Sequence, residues 1–286
     1  MISKKQFNKE IDLIITNAIR EDVGGGDHSS LACISEDARG TAKLLVKDEG
    51  ILAGVEFVRR LYEFVDPGLE MDIKIEDGTP VKYGDVAFYV SGLSQSILKS
   101  ERVMLNVMQR MSAIATTTRE YVELVKGTKA KILDTRKTTP GIRALEKWAV
   151  KIGGGENHRF ALYDMIMLKD NHIDFAGGVS KAIKKTQNYL EDHHLNLKII
   201  VEARDFNEVE EILKTGGVDR ILLDNFNFED TRKAVEMIGG ACQTESSGGI
   251  NKETLRKYAE CGVDYISSGA LTHSVHNMDL SLKAVE

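Results

Sequence analysis

Leu197-Lys198-Ile199-Ile200-Val201 is an apolar run that stops on Glu202, and Ile221-Leu222-Leu223 is another that stops on Asp224-Asn225. The same figure recurs on both sides of them. Lys131-Ile132-Leu133 stops on Asp134-Thr135-Arg136-Lys137, and Met165-Ile166-Met167-Leu168 stops on Lys169-Asp170-Asn171-His172. Ala241-Cys242-Gln243-Thr244 leads into Glu245-Ser246-Ser247-Gly248-Gly249, and Tyr265-Ile266-Ser267 leads into Ser268-Gly269-Ala270. A parallel strand covered on both faces reads as a continuous apolar run. The later runs follow one another at the spacing of minimal βα units, while the earlier intervals leave room for inserted loops. Right-handed βα crossovers either close into a barrel or build an open sheet, and an open sheet concentrates its site at one switch point. Polar residues at every strand end therefore favour closure. Six strong strands point to an incomplete barrel.

Ahead of the barrel the pattern is different. Phe7, Ile11, Ile14, Ile15, Ala18 and Ile19 share a helical face, and Ser3 with Gln6 makes a capping box. Gly24-Gly25-Gly26 ends that helix. Strand signals follow at Thr41 to Lys47, Ile51 to Gly54, Met71 to Ile75 and Val86 to Val90, with a short helix from Val55 to Val65. A long helical stretch from Leu98 to Lys126, with a break expected near Ser112, carries Val103, Leu105, Val107 and Met108 toward a core. The expected fold class is α/β: an N-terminal α+β sandwich domain over 1–110, then an incomplete parallel α/β barrel over 111–271.

The chain has 286 residues, 42% hydrophobic and 29% charged, with a net charge of −6. That suits a soluble globular protein and argues against a nucleic-acid partner, which asks for a basic face. No apolar stretch reaches membrane-spanning length and the N-terminus reads as amphipathic, so a cytoplasmic location is expected. Cys33, Cys242 and Cys261 lack metal-type spacing and read as reduced packing residues.

Between Asp134 and His172 lie Arg136, Lys137, Arg143, Lys147, Lys151, Arg159 and Lys169, in a chain that is acidic as a whole. Arg143, Lys147 and Lys151 recur at helical spacing after Pro140 and read as a solvated face, with Glu146 pairing one of them. Arg136, Lys137, Arg159 and Lys169 sit at strand ends or beside Gly153-Gly154-Gly155, where backbone can approach a ligand. Glu202 and Asp224 on neighbouring strands would converge at the barrel mouth. They could hold Mg²⁺ together with substrate phosphates, receive sugar hydroxyls, or cap the following helices. The glycine-rich ends at Ser247-Gly248-Gly249 and Gly269-Ala270-Leu271 precede helices and suit a phosphate. His193-His194 reads as a solvated pair, and Trp148 as core.

Asp134-Thr135-Arg136-Lys137-Thr138-Thr139-Pro140-Gly141, Gly153-Gly154-Gly155-Glu156-Asn157-His158-Arg159, Lys169-Asp170-Asn171-His172 and Glu245-Ser246-Ser247-Gly248-Gly249-Ile250 occur in this order. The ensemble resembles the quinolinate phosphoribosyltransferase family, and the likeness also covers Glu21-Asp22 through Gly26-Asp27, Glu101-Arg102 through Leu105-Asn106 and Gly269-Ala270-Leu271-Thr272-His273-Ser274, nearly the full chain. It implies transfer of a phosphoribosyl group from phosphoribosyl pyrophosphate to quinolinate with loss of CO₂, in NAD synthesis, with Mg²⁺. It also implies a homodimer with shared sites, and a C-terminal tail, 272–286, packed back on the first domain. By position, Arg102 would reach quinolinate across the dimer. Arg136, His158 and Arg159 would hold its carboxylates alongside Thr135, and Lys137 and Lys169 would bridge substrate and phosphate. Glu202 and Asp224 would take ribose hydroxyls or Mg²⁺, and the two glycine-rich ends the 5′-phosphate. The catalytic set is thus Lys137, Lys169, Glu202 and Asp224. Two departures are visible: Ala113 stands where the family usually shows glycine, and Ala203-Arg204 is less typical after Glu202.

Rival readings are a relative using the mono-acid nicotinate, a related barrel protein associated with molybdenum transport, a non-catalytic binder of phosphorylated metabolites, and a Schiff-base aldolase using Lys169.

Overall fold

The apolar runs ending on polar residues become parallel strands in the computed structural model, which describes residues 2–285; Met1 and Glu286, the outer ends of the expected first domain and tail, lie outside it. In chain order the first half comprises α1 (Lys4–Val23), α2 (His28–Cys33), β1 (Arg39–Val46), β2 (Gly50–Ile51), α3 (Val55–Val65), β3 (Glu70–Ile73), β4 (Pro80–Val81), β5 (Val86–Leu93) and α4 (Ser94–Leu124). The second half comprises β6 (Lys131–Leu133), α5 (Arg143–Ile152), β7 (Ile166–Leu168), α6 (Asp170–Ala176), α7 (Val179–Asp192), β8 (Ile199–Ala203), α8 (Phe206–Thr215), β9 (Arg220–Asp224) and α9 (Phe228–Ile238). It ends with β10 (Gln243–Ser247), α10 (Lys252–Glu260), β11 (Tyr265–Ser267), α11 (Ala270–His273) and β12 (Leu280–Val285). Contacts divide the chain into two units. One holds Glu120–Lys137 and Gly155–Ala270; the other holds Ser3–Arg119, Thr138–Gly154 and the segment from Leu271 on.

The first unit is the barrel. Its parallel sheet has the order β6-β11-β10-β9-β8-β7, so the last strand returns to pair with the first and the gap falls between β6 and β7. Beside β6, Glu156 extends the ladder by one bridge to Leu133. Alternation along the strands decides what each face carries. Val201, Ala203, Ile221 and Leu223 pack outward against Ile183, Val209, Ile212, Ala234 and Ile238 of the helices. Each valine, leucine or isoleucine among them contributes about 1.5–3 kcal/mol on burial. Glu202, Leu222 and Glu245, one residue out of phase, face the other way.

The second unit is built on an antiparallel sheet of order β12-β1-β5-β3. Ala42, Leu44 and Val46 of β1 alternate inward, and β12 lies beside them with Leu44 opposite Leu282 and Val46 opposite Leu280. Tyr62 of α3 meets Phe88 of β5 edge-on at 6.5 Å. Among the described residues no helix is long and apolar enough to cross a membrane.

Several local expectations are corrected. α4 runs unbroken through Ser112, because that buried hydroxyl accepts from Ala53 N–H at 2.9 Å and donates to Ala53 O at 3.2 Å instead of competing within its own helix. The same contact shortens the strand expected over Ile51 to Gly54, whose last residue takes φ +106° and caps α3. α5 starts at Arg143, after the turn holding Pro140. Its solvated face is narrower than expected. Lys147 is buried, and Glu146 (0% exposed) pairs with Arg110 of α4 at 2.8 Å. The missing link was a helix far away in sequence. Trp148 is only half-buried, edge-on to Phe7 at 5.4 Å. Of the three free thiols Cys261 is buried, while Cys33 is exposed and packs no core.

Candidate active site

The C-terminal ends of the barrel strands carry the chemistry, as the alternation requires: Asp134 follows β6, Lys169 follows β7, Glu202 and Asp224 lie at the ends of β8 and β9, and Ser247 closes β10. Asp134 is fully buried and holds the wall between β6 and the Glu156 bridge. Its carboxylate accepts from Asn157 Nδ2 at 2.6 Å and from His158 N–H at 2.8 Å. That turn delivers Arg159 into the site, buried to 6% exposure, with Nη1 donating to Met165 O at 3.3 Å. Phe160 and Ala161 then fold onto Asp164, whose carboxylate accepts both N–H groups at 2.8 Å. Burial would raise the Asp164 carboxyl, but those bonds bring it below the ordinary carboxylate range.

Arg159 is under electrostatic load. Burial, and then the nearby Arg136 charge, lower its guanidinium from the usual arginine range, against an opposing contribution from Asp164. Arg136 is half-buried, and its Nε has no hydrogen-bond partner. Two guanidinium groups brought together with an unspent donor form a positive wall suited to an anion. Lys137 and Lys169 are exposed at the same rim, with Lys137 N–H donating to Thr135 Oγ1 at 3.0 Å and Lys169 N–H to His172 Nδ1 at 3.1 Å.

Opposite charge stands on the next strands. Burial, and then the charge of Asp224, raise the Glu202 carboxyl above its ordinary value, and Lys169 partly offsets them. Asp224 is oriented by Asn225, whose Nδ2 donates to Asp224 Oδ2 at 2.7 Å. Asn225 itself takes φ +56° and donates its N–H to Ser247 O at 2.9 Å. Gly248 lies directly over it at φ +97°; a Cβ there would stand 2.9 Å from Asn225 N and closer still to its side chain. Backbone and acid are thus keyed together where β9 and β10 end. Among the described residues no group of three His, Cys, Asp or Glu could hold a metal alone. Two repelling carboxylates fit a hard divalent cation that draws its other ligands from substrate phosphates and water.

Below this rim the interior carries residues that the sequence reading did not assign. Glu245 is fully buried, with Oε2 2.8 Å from Arg220 Nη1 and 3.5 Å from His158 Nε2. Burial would raise its carboxyl, but His158, Arg220 and Ser267 outweigh that and leave it lowered. Glu245 stood inside a quoted motif, whereas nothing near Arg220 announced it. The strand register supplies the pairing.

Of the expected set, Thr135, Arg136, Lys137, His158, Arg159, Lys169, Glu202, Asp224, Ser247, Gly248, Gly249, Gly269 and Ala270 all belong to the barrel unit. Arg102, exposed on α4, and Leu271, buried, belong to the other unit.

Comparison with known proteins meets this geometry directly. Residues 27–112 match the family model of the quinolinate phosphoribosyl transferase N-terminal domain, and residues 114–283 that of the C-terminal domain. A decarboxylating quinolinate phosphoribosyltransferase, 1b, of Nicotiana tabacum is 44% identical over 285 residues, spanning 94% of this chain and 81% of its own. The crystal structure of NadC from Streptococcus pyogenes superposes with a TM-score of 0.90 at 36% identity, covering 100% of this chain and 99% of that one. The nicotinate-nucleotide pyrophosphorylase of Francisella tularensis also reaches 0.90, at 34% identity and 97% of both chains. With two models covering nearly its whole length and a rim of paired guanidinium and carboxylate groups, the chain belongs to the quinolinate phosphoribosyl transferase family.

Proposed function

We propose that this enzyme transfers the phosphoribosyl group of phosphoribosyl pyrophosphate to quinolinate and releases pyrophosphate and CO₂, leaving nicotinate mononucleotide for NAD biosynthesis. The observation that carries this reading is the pair Arg136 and Arg159, two like charges brought together at the barrel mouth. A dicarboxylate relieves that repulsion twice over; a mono-acid leaves one guanidinium uncompensated. Thr135 and His158 flank the pair, and Lys137 and Lys169 extend the positive wall toward the phosphates. Ser247-Gly248-Gly249 and Gly269-Ala270-Leu271 receive the 5′-phosphate through backbone N–H groups.

The pyridine nitrogen attacks the anomeric carbon of the ribose as the bond to pyrophosphate breaks, and the pyrophosphate leaves with the electron pair. Glu202 and Asp224 lie where positive charge develops on the ribose, and their carboxylates stabilise it or hold its hydroxyls. Mg²⁺ held by the same two carboxylates would neutralise charge on the leaving pyrophosphate. The ribosylated ring nitrogen is cationic, so when the C2 carboxylate leaves as CO₂ the electron pair remaining at C2 is stabilised, and a proton replaces it. Arg136 and Arg159 keep the acid oriented throughout, and no covalent nucleophile is needed. The reading is of a cytoplasmic homodimer in which Arg102 of one protomer completes the site of the other; the exposure of Arg102 on α4 supports that role.

The test is an assay with quinolinate, phosphoribosyl pyrophosphate and Mg²⁺, followed for CO₂ and pyrophosphate. Release in equal amounts is expected. Release of pyrophosphate with nicotinate but not with quinolinate would overturn the assignment.

A further inference from the structure

The barrel interior holds a buried charged pair, Arg220 and Glu245, that meets the expected site set at His158. Arg220, at the start of β9 and 8% exposed, places Nη1 2.8 Å from Glu245 Oε2 and Nη2 3.2 Å from Gln243 Oε1. Its guanidinium lies over the Tyr265 ring, 3.8 Å from the centroid. Three strands thus fix one arginine, and that arginine fixes one carboxylate. The same Glu245 oxygen, Oε2, also faces His158 Nε2 at 3.5 Å, longer than a tight hydrogen bond. His158 Nδ1 accepts the backbone N–H of Arg159 at 2.7 Å. An imidazole nitrogen that accepts carries no proton, so the ring proton sits on Nε2, directed at Glu245. Both ring nitrogens are turned to protein groups.

Barrels of this type normally fill their interior with branched apolar side chains. A buried arginine–glutamate pair adds little net stability over apolar side chains of similar volume. Stability alone does not account for Arg220 and Glu245.

We propose that Arg220 and Glu245 are positioning residues: they lock His158 in the Nε2–H tautomer, and the locked ring, through the Arg159 N–H, sets the backbone from which Arg159 reaches the diacid. His158 then acts on the acid through Arg159. This rests on the reading of the rim as the quinolinate site. Its consequence is selective, because the relay ends at the wall that meets the acid and not at the glycine-rich ends that meet the phosphate.

The experiment uses the full chain. The double variant Arg220→Met with Glu245→Leu removes both charges together, so neither is stranded; Glu245→Asp keeps the carboxylate. Nitrogen-15 NMR of the histidine rings reads the tautomer, and steady-state kinetics reads KM for each substrate. In the parent protein His158 shows a protonated Nε2 and a bare Nδ1. The double variant is expected to lose that fixed tautomer and to raise KM for quinolinate on the order of tenfold, the size of effect carried by outer-shell partners elsewhere. Its KM for phosphoribosyl pyrophosphate stays within about twofold, and Glu245→Asp recovers part of the loss. An unchanged tautomer in the double variant, or equal rises in both KM values, overturns the proposal. If the parent protein fails to release CO₂ from quinolinate, the functional reading falls, while the tautomer comparison still decides whether Arg220 and Glu245 hold the ring.

Discussion

Arg159 is held under the charge of Arg136: burial and then that neighbouring charge depress the Arg159 guanidinium, and the Arg136 Nε finds no acceptor. Charge-assisted contacts contribute about 1.5–3 kcal/mol each. Arg159→Ala is therefore expected to lower kcat/KM for quinolinate at least about tenfold. The folded protein should tolerate the change, because it removes a repulsion. Arg159→Lys should recover only part of the activity, since an ammonium keeps the charge but loses the planar fork. Steady-state kinetics with quinolinate, alongside a thermal melt, checks both halves. Near-parent kcat/KM in Arg159→Ala would remove this residue from the site.

Glu202 makes a second prediction through its pH dependence. Its carboxyl is raised, first by burial and then by Asp224. A group whose pKa is raised on folding binds its proton more tightly in the native state. Its contribution is fully present below the unfolded value near 4.5 and is lost as the pH climbs through the raised folded value. Glu202→Gln should therefore raise Tm at neutral pH, by an amount that shrinks to nothing below the ordinary glutamate range. The same variant should lose activity and need more Mg²⁺ for half-maximal rate, because one of two candidate metal carboxylates is gone. Melts at several pH values and a Mg²⁺ titration separate the two effects. A neutral-pH Tm no higher than the parent's would contradict the strain assigned to Glu202.

Much of this was legible before any coordinates, for a physical reason. Short apolar runs that stop on charge announce parallel strands whose ends face one rim, so Glu202, Asp224 and Lys169 could be placed together from spacing alone. Val55 to Val65 could likewise be read as a helix, and it is one. What could not be read were partnerships that cross strands or distant helices. Arg220 precedes an apolar run and looks like any strand-entry cation; only the register opposite Gln243 brings its guanidinium to Glu245. Glu146 looked like a partner for one of the cations on its own helix, and α4, far off in sequence, supplies Arg110. Local periodicity shows which face a residue takes, whereas long-range pairing depends on topology.

Arg102 supplies a third prediction. It is exposed on α4, yet an arginine devoted to quinolinate has to be desolvated when substrate binds. The proposed homodimer with shared sites would supply that desolvation. Arg102→Ala and Arg159→Ala, each weak alone, are then expected to regain activity when mixed and allowed to exchange protomers, because some dimers carry one intact site. Full exchange should restore on the order of a quarter of parent activity, since half of the dimers are mixed and each has one complete site of two. Mixed protomers no more active than the separate variants would mean that Arg102 serves its own chain or none.

Gly248 gives the fourth prediction, and its cause is steric. The residue sits at φ +97°, a conformation L side chains rarely adopt, and its missing Cβ makes room for Asn225, which itself holds φ +56° and donates to Asp224 Oδ2 at 2.7 Å. Gly248→Ala would drive a methyl to 2.9 Å from Asn225 N, so either the β10 end or the β9 end must move. Backbone strain of this kind costs about 1–3 kcal/mol, which should appear as a lower Tm. The functional cost falls on two partners at once, because Asn225 orients the acid while Gly248 belongs to the strand end proposed to take the phosphate. KM for phosphoribosyl pyrophosphate should rise on the order of tenfold or more, the loss of one charge-assisted contact, whereas KM for quinolinate, set by the arginine wall across the barrel, should move little. If kinetics with both substrates showed quinolinate affinity falling as far, the glycine-rich end of β10 would belong to the acid and not to the phosphate.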